Sequence, residues 1–254
     1  MEKKSQILAG RKPVLDAIES GNQLEKVIID RSLTGEFEIN IRKICKEKNI
    51  PLQRVPAPVL DKYTKARHQG VIGLMGLLEY ASFEDTIDQM MYEIGDPVFL
   101  VLDQVKDVRN LGAIARSAEL LGVSALVMPS GGFAQINDVA IKASAGALLN
   151  IPVCRVPSLL VALKDMKLHG IRIVATGMRN QSQVHESDLK GPIALVMGSE
   201  EKGVRPHIQR IADMTVQIPQ LGQTESFNVS VATGILLYEI ARQRNFEIRK
   251  GREE

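Results

Sequence analysis

The stretch PVFLVLDQVKDVRNLGAIARSAELLGVSALVMPS, residues 97–130, decides the fold of this chain. It begins with an uninterrupted apolar run at 98–102, crosses a polar loop, and continues through a helical pattern around 113–121 to a second apolar run at 125–128. Runs without alternating polar residues indicate strands that are buried on both faces, as in a parallel sheet covered by helices. The stretch therefore predicts a strand–helix–strand unit of an α/β fold.

The same alternation continues to the carboxyl end of the chain. Further strands are predicted at 151–156, 171–175, 193–197 and 215–218. Helices are predicted near 138–149, 159–166 and 204–210, and a last one after Asn228. We expect one α/β domain with a parallel sheet over residues 97–254.

The residues before 97 predict a smaller α/β domain over residues 1–79. Amphipathic helices are expected at 12–19 and 37–48, with a strand at 24–30 and short strands after the second helix, the last at 72–78. Ser82, with Asp85 three positions later, has the pattern of a capping box that opens a short acidic helix. That helix should end before Pro97, so we assign 80–96 to a linker.

Bulk composition bounds the class of protein. The chain has 254 residues, and its hydrophobic content of 44% is enough for a large packed core. Cys45 and Cys154 have neither the spacing of a metal site nor that of a disulfide-rich domain. The first residues lack the apolar stretch of a signal peptide, and no apolar run has the length of a membrane span. We therefore expect a soluble cytoplasmic protein that does not act at a membrane.

Positive charge is concentrated in residues 42–67, although the net charge of the whole chain is only +2. The charged residues of this stretch are Arg42, Lys43, Lys46, Lys48, Arg54, Lys62, Lys65 and Arg67, against Glu47 and Asp61. Such a cluster is typical of a surface that faces nucleic-acid phosphates. Charge alone supports a solvated helix face equally well.

Ligands of open α/β sheets bind beyond the carboxyl ends of the strands, so the loop after the first strand is the first candidate site. There Asn110 and Gly112 lead into a helix that carries Arg116, and Asn110 is a candidate N-cap. Arg116 interrupts a face of small apolar residues, where an unpaired guanidinium would be costly. A phosphate is the natural partner for its planar fork.

Two later loops also carry polar side chains. Gly198, Glu200 and Gly203 follow the strand at 193–197, and paired glycines allow a ligand to approach the backbone closely. Glu200 alone would be interpreted equally well as a solvated loop carboxylate. After the strand at 215–218, Ser226 or Asn228 is expected to cap the last helix. No P-loop and no GxGxxG follows any strand, which weighs against nucleoside triphosphates and dinucleotides as ligands.

At these three loops the chain resembles the SpoU (TrmH) family of RNA ribose methyltransferases, within the SPOUT superfamily. Its first motif, Asn-x-Gly with an arginine six residues after the asparagine, matches Asn110, Gly112 and Arg116. Its second, an apolar strand followed by Gly-Ser/Ala-Glu and a later glycine, matches 195–203. Its third, Ser-Leu-Asn-Val-Ser-Val-Ala, matches 226–232 with Phe227 in place of leucine. The amino-terminal AGRKPVLDAIESG, 9–21, and HQGVIGLM, 68–75, resemble the substrate-binding domain of the rRNA-modifying branch.

The resemblance implies a methyl transfer from S-adenosylmethionine to a ribose 2'-hydroxyl, with no metal and no DNA partner. It implies a trefoil knot at the carboxyl end, which general rules of chain topology would not suggest, and a homodimer formed through the knot region. The residues implied to carry out or position the transfer are Arg116, Asn110, Glu200, Ser226 and Asn228. Those implied to bind the donor are Gly198, Gly203, Ile218 and Phe227. The RNA-binding residues are expected to be Lys43, Lys46, Lys65 and Arg67.

The implied substrate is a guanosine in the peptidyl-transferase region of 23S rRNA. Two alternatives stay open at this point. One is methylation of tRNA or of a different rRNA site. The other is a catalytically silent RNA-binding or ribosome-assembly factor on the same fold, against which the retention of Arg116, Glu200, Ser226 and Asn228 argues.

Overall fold

A computed structural model describes residues 7–177 and 182–247, and its contacts divide these residues into two units. The smaller unit contains the described residues up to Glu79 together with Gln135–Asp138. The larger unit contains Tyr80–Ala134 and the described residues from Val139 onward. Within the described ranges, no helix is long and apolar enough to cross a membrane.

The smaller unit is built on a four-stranded sheet of order β1-β4-β2-β3. Its elements are β1 (Ile7–Ala9), α1 (Arg11–Glu19), β2 (Leu24–Asp30), α2 (Glu36–Glu47), β3 (Leu52–Val55), α3 (Ala57–Tyr63) and β4 (Val71–Met75). Strand β2 pairs parallel with β3 and antiparallel with β4. The sequence did not indicate β1 or α3. Strand β4 lies inside the sheet and ends at Met75 rather than at residue 78.

Both faces of this sheet are covered. On one face, Val27 and Ile29 of β2 pack in a core with residues of α1 and α2, including Val14 and Ile41. On the other face, Ile28 packs with Leu60 of α3. Successive residues of a strand point to opposite sides, so β2 supplies both cores. The predicted α/β character of this region is confirmed.

The larger unit has a seven-stranded sheet of order β7-β6-β5-β10-β8-β11-β9, in which every paired strand is parallel. Its strands are β5 (Val98–Leu102), β6 (Ala125–Pro129), β7 (Val153–Val156), β8 (Arg172–Thr176), β9 (Ser182–Gln183), β10 (Ile193–Met197) and β11 (Met214–Gln217). Its helices are α4 (Phe83–Ile94), α5 (Val108–Leu120), α6 (Asp138–Ala143), α7 (Leu159–Leu168), α8 (Pro206–Gln209) and α9 (Val229–Gln243). The predicted parallel α/β fold and its six predicted strands are confirmed.

The helix expected over 138–149 is interrupted in the structure. Helix α6 ends at Ala143, and a short 3₁₀ helix occupies Ala147–Leu149. Between them Ala145 and Gly146 adopt φ angles of 51° and 89°, which no α-helix accommodates. The backbone at these two residues therefore breaks the predicted helix.

The segment 80–96, assigned above to a linker, belongs to the larger unit. Phe83 and Ile87 of α4 are buried in a core that also contains Phe99 and Val101 of β5. Ser82 caps α4 by accepting a hydrogen bond of 3.4 Å from the N–H of Asp85, as its sequence pattern predicted. The apolar face of α4 therefore makes this segment part of the packed structure.

Candidate functional site

Polar loops from three strands meet at the carboxyl edge of the larger sheet. Strands β5 and β10 are neighbours, and β8 separates β10 from β11. The chain leaves β5 toward β6 and β7 on one side, whereas β8 and β11 lie on the other side of β10. Ligands of open α/β sheets bind where the strand order diverges in this way.

The loop after β10 is a tight turn that requires glycine at its first position. Ser199 and Gly203 exchange backbone hydrogen bonds of 3.2 and 2.9 Å. A Cβ atom on Gly198 would lie 2.0 Å from the carbonyl carbon of Gly203, so no side chain fits there. Gly203 itself has a φ of 64°. The turn holds Glu200 at its tip.

One oxygen of Glu200 joins all three loops. Its Oε1 accepts hydrogen bonds from Asn110 Nδ2 at 3.1 Å and from the backbone N–H of Val229 at 3.2 Å. Asn228 Nδ2 donates to the same oxygen and also to Asn110 Oδ1, the latter at 3.1 Å. We call Asn110, Glu200 and Asn228 the Glu200 network. The structure thus brings together three residues that lie far apart in the sequence.

Of the two helices that enter this network, α9 is capped by one of the two residues expected and α5 by a residue that was not expected. Asn228 Oδ1 accepts the N–H of Ser230 at 3.0 Å and caps α9, whereas Ser226 makes no such bond among the described residues. Helix α5 is capped by Asp107, which accepts the N–H groups of Arg109 and Asn110. The prediction that Asn110 is the N-cap was wrong. Lying within the first turn, Asn110 directs its amide to Glu200 instead.

An ion pair that the sequence did not indicate anchors the loop after β10. Asp103, fully buried at the end of β5, accepts bonds from Arg205 N at 2.9 Å and Arg205 Nε at 2.7 Å. Bidentate pairing with a buried carboxylate fixes the backbone of the residue that provides the donors. The only sequence signal was an aspartate directly after a wholly apolar strand.

A cleft opens beside the Glu200 network. It is lined by Thr176, Gly177, Met197, Gly198, Ser199, Glu200, Gly203, Val216, Ile218, Gln220, Ser226, Phe227, Val229, Ala232 and Leu236. All four residues expected to bind the donor are among them, and so are Glu200 and Ser226. Thr176 and Gly177 were not predicted, since only the fold brings the end of β8 to this edge, and Gln220 of the loop after β11 was not predicted as a lining residue either.

Arg116 does not line this cleft. It is exposed on α5, whereas its neighbours Ile114, Ala115 and Ala118 are buried. In residues 7–177 and 182–247 it makes no hydrogen bond or ion pair. The expectation that Arg116 interrupts a buried apolar face was therefore wrong, because the helical register turns its side chain to the surface.

The predicted RNA-binding residues Lys43, Lys46, Lys65 and Arg67 are all exposed on the smaller unit. The charge of their neighbourhood is lower than the sequence count suggests. Glu38, outside the stretch counted, pairs with Arg42 at 3.4 Å and also with Arg54. The fold therefore neutralises part of the positive stretch.

Among the described residues, no group of three or more His, Cys, Asp or Glu side chains could hold a metal ion. The carboxylate of Glu200 accepts hydrogen bonds from two side-chain amides and one backbone N–H group.

Comparison with known proteins assigns a family to this arrangement. Residues 97–238 match the model of the SpoU rRNA methylase family, and residues 7–81 match the model of the RNA 2'-O ribose methyltransferase substrate-binding domain. The chain belongs to the SpoU family. It is an RNA 2'-O-ribose methyltransferase of the SpoU/TrmH type by sequence and fold.

Two of the relatives described next match over nearly the whole length of this SpoU protein, and the third matches over about two thirds of it. YacO of Bacillus subtilis (strain 168), assigned to the TrmH family of tRNA/rRNA methyltransferases, is 32% identical over 246 residues, which cover 96% of this chain and 98% of YacO. The SpoU methyltransferase AviRb from Streptomyces viridochromogenes, solved with AdoMet, has a TM-score of 0.61 at 23% identity and covers 95% of this chain and 91% of AviRb. A TrmH/SpoU tRNA modifying enzyme of A. aeolicus has a TM-score of 0.55 at 33% identity, covering 65% of this chain and 85% of that protein.

Proposed function

We propose that this SpoU protein transfers a methyl group from S-adenosylmethionine to a ribose 2'-hydroxyl of rRNA in the cytoplasm. The observation that carries the proposal is the Glu200 network at the rim of a cleft lined by Gly198, Gly203, Ile218 and Phe227. The network supplies polar groups for a ribose, and the cleft supplies a wall for the donor. AviRb, which has the same fold, was solved with AdoMet.

The lining of the cleft fits the proposed donor. The absent side chain of Gly198 lets the backbone of Gly203 and Val204 pack directly against it, which gives the turn that lines the cleft its closed shape. Val216, Ile218 and Leu236 offer apolar contacts suited to an adenine ring and a methylene stem, while Gln220 and Ser226 offer polar ones. When bound, the sulfonium supplies the methyl group.

The residues of the chain then have to orient the acceptor and favour loss of its proton. Methyl transfer is an in-line displacement, for which correct positioning accounts for much of the rate. Oε1 of Glu200 is committed to three donors. Its second oxygen has no hydrogen-bond partner in the described part of the chain. We propose that this oxygen accepts the ribose hydroxyl.

Arg116 is proposed to clamp an RNA phosphate next to the reacting ribose. An arginine carries a permanent positive charge, so the clamp role suits it better than proton abstraction. Its position outside the cleft of its own chain favours a site completed by a second copy. Helix α5, which carries Arg116, packs on α9. Ser117 Oγ of α5 lies 3.7 Å from the position that a Cβ on Gly234 of α9 would take.

The outer face of α9 supports such a homodimer. Val231, Ile235 and Tyr238 form a stripe along it, with exposed fractions of 52%, 36% and 54%. An apolar stripe at this helical spacing is typical of a surface that packs against another helix. We propose that two copies pair through this stripe. The chain from β10 to α9 is proposed to form the trefoil knot, since β10 is inserted between β5 and β8 and β11 lies beyond β8.

Mixing two inactive variants tests the shared site. Arg116→Ala and Glu200→Ala chains should each lose most or all of the activity. Unfolded together and refolded, they should regain part of it, because each mixed dimer holds one intact site. Ile235→Lys should give monomers in analytical ultracentrifugation. A dimeric wild type without complementation would place Arg116 and Glu200 in the site of a single chain. A monomeric, active wild type would overturn the dimer.

We favour large-subunit rRNA, and within it a guanosine of the peptidyl-transferase region of 23S rRNA, as the substrate. The amino-terminal unit, which matches the substrate-binding model over 7–81, supports a larger RNA substrate. The tRNA modifying enzyme of A. aeolicus, by contrast, covers only 65% of this chain. Methylation of tRNA is the second candidate function, because the name of YacO includes both RNA classes.

In the decisive experiment the protein is incubated with labelled S-adenosylmethionine and one purified bacterial RNA at a time. The RNAs are 23S rRNA, 16S rRNA and tRNA. Ribose methylation of 23S rRNA at one mapped guanosine is the expected result. Transfer to tRNA alone would overturn the rRNA assignment. Transfer to none of the RNAs, free or in ribosomal subunits, would leave a catalytically silent RNA-binding factor.

A further inference from the structure

An open cleft lies on the smaller unit, between the start of α1 and the first turns of α2. Its walls include Arg11, Phe37, Ile39, Asn40 and Lys43. Of these, only Lys43 belongs to the positive stretch that the sequence singles out. The cleft lies entirely within the amino-terminal unit and is not part of the methyl-transfer site described above.

Arg11 is held in one position by contacts with Phe37 and Gln69. Its guanidinium carbon lies 5.0 Å from the centroid of the Phe37 ring, within the range of a cation–π contact. Its Nε donates to the carbonyl oxygen of Gln69 at 3.4 Å, and its backbone N–H donates to Gln69 Oε1 at 3.2 Å. The Arg11 side chain is therefore held in place while the residue stays exposed.

The loop that holds Arg11 is itself shaped for this contact. Gln69 has a φ of 50°, in the left-handed region that non-glycine residues seldom adopt. A Cβ on Gly10 would lie 3.6 Å from the carbonyl oxygen of Arg67. The loop carrying Lys65 and Arg67 thus packs beside Gly10 and Arg11. Arg11 therefore lies between two groups of predicted RNA-binding residues, Lys65 and Arg67 of this loop and Lys43 of α2.

The groups that line the cleft have the chemistry to contact an RNA strand. The Nη groups of Arg11, which are not used in the bonds to Gln69, and the ammonium of Lys43 suit a phosphodiester. Lys43 has only a loose pair with Glu47 at 3.9 Å, with both side chains largely exposed. Ile39, 58% exposed, and Phe37 give the same cleft an apolar wall. A paired duplex presents its backbone but hides its base faces, whereas an unpaired strand offers both.

We propose that this cleft binds an unpaired segment of the RNA substrate, with a phosphate on the preorganised guanidinium of Arg11 and a base against Phe37 and Ile39. Glu36 also lines the cleft and lowers its net positive charge. The proposal deepens the proposed function and rests on it for the identity of the RNA as substrate. Arg11, rather than a mobile surface lysine, is the principal contact, because an immobilised donor loses less entropy on binding.

Binding of a fluorescently labelled oligouridylate of about 12 nucleotides tests the cleft directly. Arg11→Ala should weaken affinity about tenfold, the loss expected when one charge-assisted contact disappears. Arg11→Lys should recover little of it, because the planar fork and the ring contact are lost. Phe37→Leu keeps the packing against the core yet removes the ring, and should also weaken binding. Lys48→Ala removes one charge at the far end of α2 and serves as the control.

Three results would overturn the proposal. One is an affinity of Arg11→Ala within twofold of the wild type and of Lys48→Ala. Another is full affinity in Arg11→Lys, which would show that only the positive charge at this position contributes to binding. The third is equal binding of a duplex of the same length. Because methylation is assayed separately, an inactive protein with Arg11-dependent binding would refute the catalytic proposal alone, and an active protein with Arg11-independent binding would refute the cleft alone.

Discussion

The side chains of Asn110 and Asn228 share a hydrogen bond of 3.1 Å, although 118 positions separate them in the sequence. Both amides also donate to one oxygen of Glu200. The same oxygen accepts the first N–H of α9, from Val229. A carboxylate at a helix start interacts favourably with the helix dipole as well as with the donor itself. Glu200 therefore fixes the geometry of three loops at once.

Replacing Glu200 by alanine should lower kcat/KM for methyl transfer by about a hundredfold or more, since three donors lose their common acceptor. The melting temperature should fall by only a few degrees, because the residue is exposed. Steady-state kinetics and thermal unfolding measure the two effects. Glu201→Ala, which alters the adjacent exposed carboxylate, should behave as the wild type. Equal losses of kcat/KM in the two variants would show that methyl transfer depends on the negative charge of the loop and not on the Glu200 network.

Replacing Gly198 by alanine should abolish donor binding. Its Cβ would lie 2.0 Å from the carbonyl carbon of Gly203, so the backbone of the turn has to move. Isothermal calorimetry with S-adenosylmethionine should show an affinity at least about a hundredfold weaker. Gly222→Ala, where an added Cβ meets nothing within 4 Å, is the matched control. Unchanged donor affinity in Gly198→Ala would separate the donor site from this turn.

Replacing Arg116 by alanine should remove methyl transfer while leaving donor affinity and stability unchanged. The side chain is exposed, has no partner in the described part of the chain and does not line the cleft. Single-turnover transfer assays and calorimetry provide the readouts. Arg210→Ala removes an exposed arginine next to α8 and controls for the loss of one positive charge. If Arg116→Ala keeps its activity, the phosphate clamp is wrong.

Replacing Cys45 by alanine should flatten the alkaline loss of stability. Burial raises the pKa of the Cys45 thiol from 9.0 to about 12. Between these values the unfolded chain releases a proton that the folded chain keeps, so stability falls as the pH rises through this window and is unaffected below it. The free energy of unfolding, measured in urea at several pH values, should decline less steeply in the variant, by up to about 1.4 kcal/mol per pH unit. Parallel declines would mean that the thiol ionises equally in both states.

Much of the larger unit could be predicted because β5, β6 and β10 are uninterrupted apolar runs. Strand β9 escaped prediction, since Ser182–Gln183 is short and polar and exists only by pairing with β11. The capping of α5 was assigned to Asn110 because asparagine and aspartate both cap helices, and only the geometry selects Asp107.

The site was predictable as a set of residue types but not as a set of contacts. Sequence patterns led to Asn110, Glu200 and Asn228, whereas their convergence on one oxygen depends on strand order. Arg116 is exposed because of the direction in which its helix faces the core. The small apolar residues on both sides of it do not indicate that direction. The pairing of Asp103 with Arg205 links positions 102 residues apart and has no local signature.

The Glu200 network also determines where this chain can change its length. Its members are 90 and 28 positions apart, yet the entropic cost of closing a loop rises by only about 0.6 kcal/mol for each doubling of its length. Insertions in the surface connections between the strands would therefore leave the network assembled. The turn from Gly198 to Gly203 is different, because two backbone hydrogen bonds between Ser199 and Gly203 close it and an added residue would break this pairing. Natural variation in length should therefore accumulate in those surface connections and not at that turn.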